Sequence, residues 1–196
     1  MGLAESAGVL GSGQVLPELH PGEVQPGNDR AKVAEGLKLN LGCGNKILPG
    51  YVNVDYKNPW AKNKPDLECD IRKLPYGNDS VDEILAVHVI EHFYLWEAPD
   101  VVAEWKRVLK PGGKLILECP CLNKILHFFN IQPIIYSHTM MGLYGDQKYQ
   151  DPAMVHKWCY SKEHLMDLME LFFRDVQFLP AQFHKPERDM RVTGVK

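Results

Sequence analysis

The pattern of apolar and polar positions changes at about residue 36. Before it, residues 1–30 are rich in Gly, Pro and Ser and hold few large apolar side chains. This composition is typical of a flexible arm, although a strap over an active site would have the same composition. After it, residues 37–41 alternate apolar with polar and meet Gly42, which predicts a strand running into a tight turn. Residues 51–55 predict a second short strand that ends in a carboxylate.

Three further strands and one helix are predicted in the middle of the chain. Residues 66–70 form a weak strand candidate, and residues 83–87 form a strong one. Apolar residues then recur at helical spacing over 101–109, which predicts a helix that the Pro-Gly-Gly at 111–113 stops. Residues 114–119 have a nearly continuous apolar centre, which favours a buried parallel strand.

The last third of the chain begins with a stretch of no simple period. Residues 120–160 carry many Tyr, Phe and His side chains and are predicted to be an insertion. Ser161 is predicted to cap a helix, and residues 174–179 and 190–196 predict two antiparallel closing strands. Strands that alternate with helices indicate an α/β domain over 31–196, with a mostly parallel sheet and helices on both faces.

Composition narrows the function classes. The 196-residue chain has a formal charge of −3, so nothing in its net charge favours nucleic acid or an anionic membrane as a partner. The five cysteines are odd in number and none is spaced C-x-x-C, which favours reduced thiols and a cytoplasmic location. We see no signal peptide and no apolar run near the roughly 20 residues that span a bilayer. The oligomeric state stays open.

A glycine turn is the first feature that suggests chemistry. Gly42-Cys43-Gly44 follows a strand, where glycines let the backbone turn sharply and approach a ligand. Alone, the pattern fits an ordinary turn equally well. Asp55 at the end of the next strand could accept hydrogen bonds from both hydroxyls of a ribose. Ile47 replaces the third glycine of the dinucleotide fingerprint, which argues against NAD or FAD.

Five ordered blocks together resemble class I S-adenosylmethionine-dependent methyltransferases, of the type 11-like subgroup with a short first helix. The blocks are residues 39–45, 53–55, 69–71, 88–93 and 109–115. The resemblance implies a Rossmann-like sheet of seven strands with an antiparallel last strand. Only residues 42–50 separate the first two strands, fewer than a crossover helix normally needs. The first helix is therefore expected to be a single turn or absent.

The resemblance also implies which residues hold S-adenosylmethionine. They are Gly42, Cys43, Gly44, Asn45, Asp55, Tyr56, Asp70, Ile71 and His88. The glycine turn would wrap the methionine part, Asp55 would bind the ribose, and Asp70 would take the adenine amino group. Tyr56 would pack near the adenine, and Ile71 would offer backbone and apolar contact. For Asp70, a solvated turn carboxylate is the plainer alternative.

Two histidines are the candidates for catalysis. His88 would lie beside the sulfonium and is the first choice of general base if the acceptor is a hydroxyl. His156, in the insertion, is a second candidate base or acceptor ligand, although that segment could equally be a packed loop. Residues 119–121 are Cys-Pro-Cys, where methyltransferases of nucleic-acid amino groups carry an N/D-P-P-Y/F block. We therefore expect a small-molecule acceptor and no nucleic acid. The resemblance to the subgroup with a short first helix implies an acceptor of the saccharide or secondary-metabolite kind.

Two other functions fit parts of the sequence. A catalytically silent module would keep the cofactor site without turnover. Residues 88–92, His-Val-Ile-Glu-His, also match the H-x-x-E-H motif of a zinc hydrolase family. That motif requires a helix, whereas the preceding run predicts a strand with His88 at its end. We therefore expect no metal, and His92 is predicted to be a packing residue at a helix start.

Overall fold

The computed structural model describes residues 36–56, 61–131 and 136–196. The arm predicted over residues 1–30 lies outside them. The strands in this part of the chain are β1 (Lys38–Leu41), β2 (Val52–Asp55), β3 (Leu67–Glu68), β4 (Val81–Val87), β5 (Leu109–Pro120), β6 (Arg174–Pro180) and β7 (Asp189–Val195). The helices are α1 (Ala98–Val108), α2 (Leu122–Ile131), α3 (Tyr136–Tyr144) and α4 (Lys162–Glu170), with 3₁₀ turns at Ile90–His92, Gln147–Tyr149 and Pro152–Met154.

All seven strands form one sheet in the order β3-β2-β1-β4-β5-β7-β6. The pairs from β3 to β5 are parallel, whereas β7 runs antiparallel to both β5 and β6. Pro120 at the end of β5 therefore pairs with Asp189 at the start of β7. The predicted Rossmann-like sheet with a reversed last strand is confirmed. The reversal brings the first residue of β7 to the edge where the parallel strands end.

The link from β1 to β2 contains no helix. Residues 42–51 form turns and irregular backbone, and β1 and β2 lie side by side with Leu39 opposite Val52. The short connection predicted from the sequence is confirmed. The turn after β1 is consequently held by loop contacts, without the dipole of a helix behind it.

Helix α1 packs the residues that its period predicts. Its buried residues are Ala98, Val101, Val102, Trp105 and Val108. Trp105 is fully buried, and its indole N–H donates to the carbonyl of Ile71 at 2.9 Å. Burying a large apolar side chain contributes about 1.5–3 kcal/mol. Through this hydrogen bond, α1 anchors the loop after β3 to the core. Strand β5 begins at Leu109, earlier than predicted, because Leu109 pairs with Val81.

The segment 120–160 is more regular than predicted. It contains α2 and α3. The apolar residues of α3 follow no clear helical period, whereas Leu122, Ile125, Leu126 and Phe129 of α2 do recur at helical spacing, which the prediction of an irregular insertion overlooked. The predicted cap of α4 is confirmed, since the Ser161 hydroxyl accepts from the backbone N–H of His164 at 3.1 Å. Across the described residues, the helices are all too short or too polar to cross a bilayer.

Candidate active site

A cavity of about 610 Å³ lies where β1, β2, β3 and β4 end. It brings together most of the residues predicted to contact the cofactor, which are Gly42, Gly44, Asn45, Asp55, Tyr56, Asp70, Ile71 and His88. Cys43 is not among its lining residues. Ligands of open α/β sheets bind outside the carboxyl ends of the strands, which is where this cavity lies.

The turn after β1 requires its glycines. Gly42 has φ +63°, and a Cβ built on it would lie 2.5 Å from Cγ2 of Val89. Gly44 has φ +51°, and its N–H donates to Oδ2 of Asp55 at 2.6 Å. The side chain of Cys43 is buried beneath the turn, where burial raises the pKa of its thiol to about 11. Cys43 therefore contributes packing and backbone, and its side chain does not face the main cavity.

Asp55 combines burial with spare acceptor capacity. It is 6% exposed, and its Oδ1 and Oδ2 each accept one backbone N–H, from Tyr56 and Gly44. Burial raises its pKa, and these two hydrogen bonds only partly counter the effect. An ionised carboxylate offers about four lone-pair sites, so each oxygen can still accept a hydroxyl. The geometry suits a cis-diol.

Asp70 lines the cavity and also stabilises the turn after β3. Its carboxylate accepts the backbone N–H of Arg72 at 2.9 Å and pairs with the Arg72 guanidinium at 2.7 Å. These hydrogen bonds with Arg72 lower the pKa of Asp70. The turn-carboxylate alternative is therefore present in the structure, and each oxygen of Asp70 already accepts two hydrogen bonds from Arg72.

One wall of the cavity comes from the segment predicted to be an insertion. Tyr149, Ala153, Met154 and Lys157 line it. Tyr56, directly after β2, also lines the cavity, and burial and the nearby charge of Asp151 raise the pKa of its hydroxyl. The end of β2 and the segment around residues 149–157 therefore close on the cavity from two sides.

His88 is held by two carboxylates. Its Nε2 lies 2.9 Å from Oδ2 of Asp189, and its Nδ1 lies 3.0 Å from Oε1 of Glu91. Its backbone is left-handed at φ +56°, a conformation that costs a non-glycine residue about 1–2 kcal/mol. Burial lowers the pKa of His88, but the interactions with Asp189 and Glu91 outweigh it and raise the pKa to about 9. The predicted role of free general base is not supported, because both ring nitrogens are engaged.

Asp189 is a site residue that sequence reasoning missed. It is fully buried at the start of β7, and it accepts from Arg188, from His184 and from the backbone of Lys185. Burial raises its pKa, but the hydrogen bonds with His88 and Arg188 bring the pKa well below its usual range. The reversed last strand could have indicated it, since such a strand starts at the edge where the parallel strands end.

The structure changes the predicted roles of two histidines. His156 does not line the cavity; its Nδ1 lies 2.9 Å from the carbonyl of Gly142 and its ring packs edge-on against His92. His92, predicted to be a packing residue, does line the cavity, with its Nδ1 3.2 Å from the carbonyl of Val155. Burial lowers the pKa of His92. Since a carbonyl only accepts, the neutral ring carries its proton on Nδ1 and keeps Nε2 as an acceptor.

The fold is shared with solved methyltransferase structures. An S-adenosylmethionine-dependent methyltransferase from Thermotoga maritima, described as a possible histamine N-methyltransferase, is 20% identical with a TM-score of 0.57, and 83% of each chain is covered. One from Archaeoglobus fulgidus is 16% identical with a TM-score of 0.55, covering 83% of this chain and 87% of its own. A Haloferax volcanii chain in complex with the Trm112 methyltransferase activator is 14% identical with a TM-score of 0.55, covering 82% of each chain.

A family model agrees with the fold. The model of a methyltransferase domain matches residues 39–117, which run from β1 into β5 and hold the glycine turn, Asp55, Asp70 and His88. The comparison with curated proteins finds no match. Together the family-model match over residues 39–117 and the shared fold support a class I S-adenosylmethionine-dependent methyltransferase, and they imply S-adenosylmethionine as the cofactor.

Proposed function

We propose that this protein transfers the methyl group of S-adenosylmethionine to a small-molecule acceptor, of the saccharide or secondary-metabolite kind. The observation that carries the proposal is that one cavity of about 610 Å³ is lined by the glycine turn, Asp55, Asp70 and His88 together. Its volume lies within the roughly 300–1,000 Å³ of small-molecule sites. The net charge of −3 offers no basic excess for nucleic acid.

The residues around the cavity fit the parts of the cofactor. The turn at Gly42 and Gly44 leaves room for the methionine part, and Asp55 presents two oxygens to the ribose hydroxyls. Asp70 and Ile71 lie where the adenine would follow. Methyl transfer is an in-line displacement at carbon, so the protein contributes mainly alignment and electrostatics, while the cofactor supplies the reactive methyl group.

His88 contributes orientation in this scheme. Its ring is fixed between Glu91 and Asp189, and it lines the cavity beside Val89. With both nitrogens engaged, it offers no lone pair to a hydroxyl acceptor. We therefore assign it the role of a rigid wall at the end of β4, where acceptor and methyl group meet.

His92 is the better proton acceptor where the acceptor is a hydroxyl. It lines the same cavity, and the contact of its Nδ1 with the carbonyl of Val155 leaves Nε2 able to accept. An amine or carboxylate acceptor would not need this step.

The unpaired cysteines favour a cytoplasmic location for the protein. All five are free thiols, and Cys43, Cys119 and Cys121 are buried in the apolar interior. Unpaired, buried cysteines are typical of reducing compartments. This supports the cytoplasm as the place of the reaction.

A screen of acceptors tests the proposal. The full chain is incubated with S-adenosylmethionine and panels of sugars, hydroxylated metabolites and oligonucleotides, and the release of S-adenosylhomocysteine is measured. We expect turnover in a small-molecule panel. Tight cofactor binding without turnover on any panel would support the silent module instead, and turnover confined to the oligonucleotides would refute the small-molecule acceptor. Failure to bind S-adenosylmethionine by calorimetry would refute the proposal altogether.

A further inference from the structure

Glu91 is a buried carboxylate with no ordinary hydrogen bond. Its side chain is 1% exposed, and neither Oε1 nor Oε2 has a hydrogen-bond partner among the described residues. An ionised carboxylate in such a place is costly unless a cation balances it. The groups nearest to it are therefore informative.

Two histidines present ring nitrogens to Glu91 from different parts of the chain. Nδ1 of His88 lies 3.0 Å from Oε1, without the geometry of a hydrogen bond, and Nε2 of His156 lies 3.9 Å from the same atom. The three ligand atoms all lie within 4.8 Å of one another. Ligands on a tetrahedral zinc ion, with bonds of about 2.0–2.1 Å, stand about 3.3 Å apart. A metal would thus need only small side-chain movements.

In each imidazole, the ring nitrogen that points away from Glu91 has a hydrogen-bond partner of the kind found in metal sites. Nε2 of His88 is bonded to Asp189, and Nδ1 of His156 is bonded to the carbonyl of Gly142. Histidines that bind metals commonly donate their other ring N–H to a carboxylate or a carbonyl, which turns the remaining lone pair toward the metal. In His156 the remaining nitrogen, Nε2, faces Glu91. In His88 it is Nδ1, already 3.0 Å from Oε1 of Glu91, and a metal ion would take the place of the proton between these two atoms.

We propose that Nδ1 of His88, a carboxylate oxygen of Glu91 and Nε2 of His156 bind one zinc ion beside the cofactor cavity. A donor set of two imidazoles and one carboxylate suits zinc. This reverses the sequence-based expectation of no metal, and the ligand set differs from that of the H-x-x-E-H hydrolases. His88 stands at a strand end and His92 turns Nδ1 to Val155, so His156 takes the place of the motif's second histidine.

A neighbouring cluster of His88, His184 and Asp189 is the alternative location for a metal. There Asp189 already accepts ordinary hydrogen bonds from His184, Arg188 and the Lys185 backbone. Asp189 is thus surrounded by hydrogen-bond donors, whereas neither oxygen of Glu91 accepts a hydrogen bond among the described residues and its neighbours are the imidazoles of His88 and His156. The zinc ion therefore belongs on the Glu91 side of His88.

The site would join two segments that bound the cavity. His88 and Glu91 follow β4, whereas His156 belongs to the stretch that contributes Ala153, Met154 and Lys157 to the cavity wall. Backbone contacts already link these segments, since the N–H groups of Lys157 and Trp158 donate to the carbonyl of Glu91. A zinc ion bound by His88, Glu91 and His156 would be a second link between these two segments. The proposed zinc site does not depend on which acceptor is methylated.

Metal titration of the full chain, purified without a histidine tag and stripped with a chelator, tests the proposal. Competition with a chromophoric chelator should show one equivalent of Zn²⁺, and Co²⁺ should give the intense visible bands of a tetrahedral site. Less than about a fifth of an equivalent bound at micromolar metal would overturn the proposal for the unaltered protein, whatever the variants do.

Variants locate the ion. His156→Ala and Glu91→Gln should each weaken Zn²⁺ binding by more than about 100-fold, since even an outer-shell partner is worth about 10–100-fold. His127→Ala, an exposed histidine on α2, is the matched control and should bind as the parent does. If His156→Ala keeps parental affinity, or if His184→Ala abolishes binding, the metal is not held by the proposed ligands.

Discussion

At the scale of single residues, this site depends on carboxylates in different surroundings. Asp55 is buried and pairs only with backbone N–H groups, Asp70 is paired with Arg72, and Asp189 holds His88. The sequence gives all three the same chemistry. Their neighbours then decide which one keeps acceptor capacity for a ligand, which one stabilises a turn and which one orients an imidazole.

Asp55→Ala should weaken binding of S-adenosylmethionine by about 1–3 kcal/mol, the range for losing hydrogen bonds to a charged group. The reason is that both carboxylate oxygens retain lone pairs that face the cavity. Isothermal titration calorimetry measures the change. Unaltered affinity would remove Asp55 from the ribose site.

The pH dependence of cofactor binding should also identify Asp55. Burial raises its pKa in the folded protein, so on acidification it takes up a proton at a higher pH than an ordinary aspartate. The ionised form is the one that accepts two hydroxyls. Affinity should therefore be full at neutral pH and fall as the pH decreases through that raised pKa. Asp55→Asn should flatten this part of the profile, and a profile shared by both proteins would assign the effect to another group.

His92→Asn separates proton transfer from packing. The amide nitrogen of Asn can replace Nδ1 in its contact with the Val155 carbonyl, whereas nothing replaces Nε2. For a hydroxyl acceptor, kcat should fall by about 10²–10⁴-fold, the usual contribution of a general base, with cofactor affinity unchanged. Steady-state kinetics measures kcat, and calorimetry on the same samples measures the affinity for the cofactor. Full turnover in His92→Asn would exclude this role.

At the scale of elements, one residue of β5 accepts three backbone hydrogen bonds from the loop between β6 and β7. Glu118 is fully buried, and its carboxylate accepts the backbone N–H groups of Gln182, Phe183 and His184. The same loop leads to Asp189 and places the ring of His184 4.5 Å from that of His88. A strand that is central to the sheet thus positions groups at the active-site edge.

Glu118→Gln should lower the free energy of unfolding by about 1.5–3 kcal/mol, the value of a hydrogen bond to a charged group. The amide NH₂ would replace one acceptor and leave a buried N–H without its partner. Urea unfolding followed by circular dichroism measures the loss. Glu170→Gln, at the exposed end of α4, is the control and should unfold as the parent does. Equal midpoints for the two variants would contradict this account of Glu118.

At the scale of the whole molecule, the cavity gathers parts of the chain that are far apart in sequence. The first four strands supply one side, and the stretch around residues 149–157 supplies the other. A ligand seated between them is in contact with both. Occupancy should consequently stabilise the folded domain as a unit.

S-adenosylhomocysteine at about 100 times its dissociation constant should raise the free energy of unfolding by about 2.7 kcal/mol, because only the folded state binds it. Denaturant unfolding with and without the ligand measures the difference. Asp55→Ala at the same ligand concentration should show a smaller increase. An increase equal to that of the parent would mean that the ligand binds elsewhere.

The local sequence was enough to predict the sheet and many of the residues that line the cavity. Alternating and continuous apolar runs predicted the strands, the short stretch 42–50 excluded a full first helix, and the blocks around Gly42 and Asp55 indicated the cofactor. These properties depend on neighbours in sequence or on strand ends, which a parallel sheet collects at one edge. Helix α3 was missed because its apolar side chains follow no clear period, which does not distinguish a helix from a packed loop. Helix α2 was missed although its apolar residues do recur at helical spacing.

Only the tertiary structure decided what the histidines do. His88 could be a base by its position, but Asp189, 101 residues later, and Glu91 engage both of its nitrogens. In the structure His156 does not line the cavity, whereas His92 does. The physical reason is that the protonation and tautomer of an imidazole depend on charges and carbonyls within a few ångströms. Those neighbours come from strands and loops that are distant in sequence.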